Sequence, residues 1–67
     1  MLTMREADVL YLLSRGCRYA TIAQRLGISV HTVATHIKNS YRKLDVGNAA
    51  GAVTRAAELG LLRTPGS

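Results

Sequence analysis

The side chains in this sequence with the strongest claim to chemistry are His31, His36 and Cys17. Their spacing works against a metal site. Two histidines five residues apart on a helix point roughly 140° away from each other, whereas zinc needs three or four ligands converging from one side. Cys17 alone does not complete such a set. Nucleophilic catalysis also lacks parts: no Gly-x-Ser-x-Gly turn is present, and no carboxylate is placed to orient either histidine. The glycines are isolated, so no phosphate-cradling loop exists. A chain of 67 residues has little room for an enclosed reaction cavity. No enzyme activity, metal or cofactor is expected.

What remains is charge. Nine Lys and Arg against four acids give a net charge of +5. The acids are Glu6, Asp8, Asp45 and Glu58, with none between Asp8 and Asp45. Arg15, Arg18, Arg25, Lys38, Arg42 and Lys43 all lie in that interval. A uniformly positive stretch is the footprint of a polyanion binder.

The elements that must position these charges read as helices. Thr3 and Glu6 form a T-x-x-E capping box opening a helix over 3–15, with Val9, Leu10, Leu12 and Leu13 as its apolar stripe and Gly16 as its stop. A short helix over 19–26 turns Ile22, Ala23 and Leu26 inward and ends at Gly27. Ser29 caps a third helix over 30–44, and Asn48 a fourth over 49–59, stopped by Gly60. No alternating strand pattern appears. The expected fold is all-α: a compact four-helix domain over 1–62, with a disordered tail at 63–67. Gly27-Ile28-Ser29 is a three-residue turn between two helices, the helix-turn-helix arrangement whose second helix can enter a major groove about 12 Å wide. No apolar run approaches the roughly 18 residues of a membrane span, and a single cysteine excludes an internal disulfide. A cytoplasmic protein is expected.

At 100° per residue, Val33, Ile37, Ser40 and Leu44 share one narrow arc of the third helix, bordered by Val30 and Tyr41. That arc is the expected core face. Opposite lie His31, Thr35, Lys38 and Arg42, with Ala34 and Asn39 at the edges. A merely solvated face mixes acids with bases; this one has no acid. His36 falls about 80° from the centre of the core stripe and is expected to pack at the seam.

The run LTMREADVL, then IAQRLGIS, TVATHI, YRKL and the closing ELGLL resemble the LuxR-type (GerE-type) DNA-binding domain of bacterial transcription regulators. The likeness covers about Leu2 to Leu62. It implies the output module of a larger protein, binding double-stranded DNA as a homodimer, with a sensory or receiver domain outside this chain. By position, base contacts fall to Ala34, Thr35 and Lys38, with Asn39 and Arg42 as additions. Phosphate contacts fall to Thr21, His31, Thr32, Arg42 and Lys43. The resemblance places dimer contacts on the fourth helix.

Three departures stand out. The family commonly has Lys where this chain has Ala34, which leaves Lys38 with more of the readout. The second helix lacks the family's capping box; Arg18 stands at its start instead and adds a positive charge near the expected DNA backbone. The fourth helix has Ala49 and Gly51 where the family has Arg and Glu, and an interior glycine costs roughly 0.8–1 kcal/mol relative to Ala. Apolar residues cover about half of that helix, more than one core needs. The surplus fits either an alanine-rich helix set by propensity alone or a second contact surface at Ala49, Ala52, Val53 and Ala56, where small side chains let two copies approach about a two-fold axis. A competing expectation is a protein-interaction module whose fourth helix holds RNA polymerase, a sigma factor or a sensor domain. The opening and turn also resemble the fourth region of sigma factors, but a capped helix ending ELGLL fits the LuxR type.

Overall fold

The computed structural model describes residues 1–62, and the expected tail lies outside them. Four helices follow in order: α1 (Met4–Ser14), α2 (Tyr19–Leu26), α3 (Val30–Leu44) and α4 (Ala49–Glu58), with no strand among the described residues. Every expected boundary falls within one residue, the differences being the flanking residues Thr3, Arg15 and Leu59. None of these helices is long and apolar enough to cross a membrane.

Local chemistry sets both ends of the helices. The Thr3–Glu6 box is complete: Glu6 Oε1 accepts from the Thr3 N–H at 2.8 Å, and Thr3 Oγ1 accepts from the Glu6 N–H at 3.1 Å. The four stops share one pattern. Gly16, Gly27, Asp45 and Gly60 all take a positive φ. After each of them, the next N–H reaches back five residues: Cys17 to Leu12, Ile28 to Ala23, Val46 to Tyr41 and Leu61 to Ala56. The side chains of Cys17, Ile28, Val46 and Leu61 then fold onto the core, which is how a left-handed stop satisfies orphan carbonyls and buries an apolar residue together. Gly27 at φ 68° is the one such residue inside the helix-turn-helix.

The core has two parts that share α1 and α3. Val9 and Leu12 meet Ile22, Ala23, Val33 and Ile37 on the α2 side. Leu10 meets Leu44, Ala52 and Ala56 on the α4 side. α2 and α4 do not touch among the described residues. The expected core arc of α3 is the one observed, since Val33, Ile37, Ser40 and Leu44 are its buried residues. Ser40 is buried because its hydroxyl donates to the His36 carbonyl at 2.7 Å and so carries no unmet polar group.

The expected pairing surface on α4 needs correcting. Ala52 and Ala56 have no exposed surface. They are core residues, small because α4 packs closely on α1 and α3 there. Ala49 and Val53 are half-buried and border an open depression with Leu13, Ser14, Ala50 and Thr54. Gly51 also has a reason. Its N–H donates to the Asn48 cap oxygen at 2.8 Å, and an added Cβ would lie 3.3 Å from that oxygen and 3.4 Å from Val46 Cβ. Gly51→Ala should therefore return less than the ~0.8–1 kcal/mol of helix propensity. Thermal denaturation checks this; a gain of the full amount would show that the cap tolerates the methyl group.

Candidate nucleic-acid interface

α3 starts at a rigid cap. Ser29 Oγ accepts from the Thr32 N–H at 3.0 Å and lies 2.9 Å from Thr32 Oγ1. With its buried stripe fixed against α1, α2 and α4, the opposite side of α3 is presented outward. His31, Thr35, Lys38 and Arg42 are all exposed there, and Ala34 and Asn39 are half-buried at the edges. Five of the six face residues expected from helical arithmetic carry polar or basic groups, and α2 and α3 together carry no acid.

Internal bonds decide what each side chain still offers. The Thr35 hydroxyl donates to the His31 carbonyl at 3.1 Å, so its methyl group and an oxygen lone pair remain outward. Arg42 Nη2 donates to Asn39 Oδ1 at 3.1 Å. That bond tethers the guanidinium to the helix while leaving its other donors available. Lys38 is exposed and makes no hydrogen bond or ion pair among the described residues. At the start of α2, Arg18 is exposed and no side chain caps the first-turn N–H groups. Thr21 in that turn is half-buried.

Two expected contact residues also have partners within the chain. Lys43 Nζ is 2.8 Å from Glu6 Oε1, so its charge is held against the start of α1 rather than on the outward face. Thr32 is half-buried, with its hydroxyl engaged by the cap. Helical arithmetic shows faces but not which neighbour a face meets, and no local pattern joins residues 37 apart. Burial alone would push the Glu6 carboxyl up. The hydrogen bond and charge of Lys43, together with the bonds to Thr3, outweigh this and hold it below its ordinary value. His36 is half-buried beside the core. Tyr41, bordering the core, has its phenol pushed up by burial and then by nearby Tyr19, so it adds no negative charge at neutral pH. Among the described residues no three His, Cys, Asp or Glu side chains group to hold a metal.

Residues 1–56 match the family model of the bacterial regulatory proteins of the luxR family. The chain is 49% identical over 65 residues to the transcriptional activator protein CarR of Pectobacterium carotovorum subsp. carotovorum, covering 97% of this chain and 27% of the relative. It is 51% identical over 63 residues to the transcriptional activator protein EsaR of Pantoea stewartii subsp. stewartii, covering 94% of this chain and 25% of the relative. The fold matches the solved structure of the transcription factor GerE with a TM-score of 0.88, 37% identity and 92% of each chain covered. It matches the response regulator ChrA of a heme-sensing two-component system with a TM-score of 0.87 and 37% identity, covering 92% of this chain and 31% of that one. The chain thus spans about a quarter of the length of these curated relatives.

Proposed function

Since the chain belongs to the luxR family, as a LuxR-type helix-turn-helix domain of transcriptional regulators, we propose that α3 enters the major groove of double-stranded DNA and reads base sequence there. The observation that carries this is the acid-free outward face holding His31, Thr35, Lys38 and Arg42. Lys38 donates to guanine O6 or N7, Thr35 offers its methyl group or oxygen to a base edge, and Asn39 offers its amide N–H groups. Arg18, Thr21, His31 and Arg42 meet phosphates. The uncapped first turn of α2 beside Arg18 suits a phosphate oxygen, because helix N–H groups and their dipole favour an anion. Lys43 and Thr32 add to the phosphate contacts with the donors their internal bonds leave unused.

Titrating the chain with random duplex DNA over a range of salt tests this reading. Log affinity should fall linearly with log salt by about 0.9 per phosphate neutralised, and Arg42→Ala should flatten the slope by about one unit. Absence of binding even at low salt would sink the proposal and favour a protein-interaction module.

The same domain pairs through the exposed part of α4, where Ala49 and Val53 adjoin Leu13. A two-fold pair reads two half-sites about one helical turn apart. Inserting about five base pairs between the half-sites should weaken binding more than inserting about ten, since only the latter restores the groove to the same face. Equal effects in a mobility-shift assay would argue for independent monomers.

A further inference from the structure

One apolar side chain of α3 is left uncovered by the core. Val30 is the first residue of the helix and is 48% exposed. Helical arithmetic puts it beside the core arc, but at the helix end much of it stands clear of the core. Val30, Ala34, Lys38 and Arg42 follow at intervals of four residues, so they form one inclined ridge that steps about 6 Å along the axis and about 40° round it per member, from beside the core arc at Val30 to the outward face at Arg42. The ridge runs from apolar at its start to cationic at its end. Ala34 is the smallest side chain on it and keeps the space between Val30 and Lys38 open.

The major-groove edges of the bases present donors and acceptors, and one carbon-only group, the thymine 5-methyl. An exposed branched apolar side chain on a ridge that enters this groove has that one complementary partner. We propose that Val30 packs on a thymine 5-methyl group and selects thymine at one position of each half-site, with Ala34 allowing the close approach. This rests on the base-reading function proposed above. Val30 and Lys38 lie about 12 Å apart along α3, so the thymine falls within about four base pairs of the guanine that Lys38 contacts.

The test starts from a duplex selected by the chain out of a random pool. Each thymine is then replaced singly by uracil, which keeps the pairing and removes only the methyl group. At one position per half-site, binding should weaken about fourfold, the worth of burying one methyl group. Val30→Ala, with helicity checked by circular dichroism, should bind the thymine and uracil duplexes equally at that position while keeping the guanine preference. Uracil tolerated at every position, a selected site without thymine, or an unchanged loss in Val30→Ala would each overturn the methyl contact. Failure to select any sequence would instead overturn the base-reading function beneath it.

Discussion

Replacing Lys38 by alanine should cost about 1–3 kcal/mol on the preferred duplex and relax selectivity at one base position. The size follows from what surrounds the residue. No acid on α2 or α3 competes for its ammonium group, and no internal bond holds it back. Thr35 has its hydroxyl hydrogen engaged within the helix, and Ala34 carries no polar group. With Arg42 given to phosphate and tethered to Asn39, little else on this face can take over a guanine contact. Lys38→Arg should keep much of the affinity, because a guanidinium also reaches O6 and N7. The measurement is a pair of titrations, on the selected duplex and on a scrambled one. A loss of equal size on both would assign Lys38 to phosphate and remove it from base reading.

Glu6→Ala should lower stability by about 2–4 kcal/mol, although Glu6 is not itself part of the reading ridge. One carboxylate does two jobs: it closes the α1 cap on the Thr3 N–H, and it holds Lys43 of α3 at 2.8 Å. Losing a cap contributes about 1 kcal/mol. Leaving Lys43 without its partner adds more, though less than the 3–5 kcal/mol of a fully buried pair, because about a third of the Lys43 side chain is exposed. A chain this size has only about 3–10 kcal/mol in total. The pair also sets a pH dependence. The folded carboxyl sits below its ordinary value, so its contribution is present above the unfolded value, about 4.3, and is lost as pH falls through the lower folded value. Glu6→Gln should be less stable than wild type at pH 7 and should lose less stability on acidification. Parallel curves in urea denaturation at pH 7 and pH 3 would show that Glu6 does not supply this dependence.

Much of the architecture could be read from residue types. The Thr3–Glu6 spacing, the glycine stops and the Ser29 and Asn48 caps mark the helix ends, because those signals act within a few residues. The 3.6-residue period sorts α3 correctly into Val33, Ile37, Ser40 and Leu44 inside and His31, Thr35, Lys38 and Arg42 outside. The failures concern relations between helices. Ala52 and Ala56 belong to an apolar surface too wide for one core, and only packing against Leu10 and Leu44 decides which half is buried. Lys43 looks like part of the basic run until α1 brings Glu6 to it. Val30 reads as a core neighbour until its place at the end of the helix exposes it. Periodicity supplies an angle about one axis; where the next axis lies is a property of the whole chain.

The four helix stops have a kinetic consequence. Each is closed by a bond to a residue only five positions back, so bending the chain at these points requires almost no loop-closure entropy. Helix-rich domains dominated by such local contacts have low contact order and refold in microseconds to milliseconds. With a free-energy margin this narrow, the chain opens often and recloses quickly. Fast reclosing shortens each excursion of the ridge on α3, while the depth of the stability well sets the fraction of time it is lost.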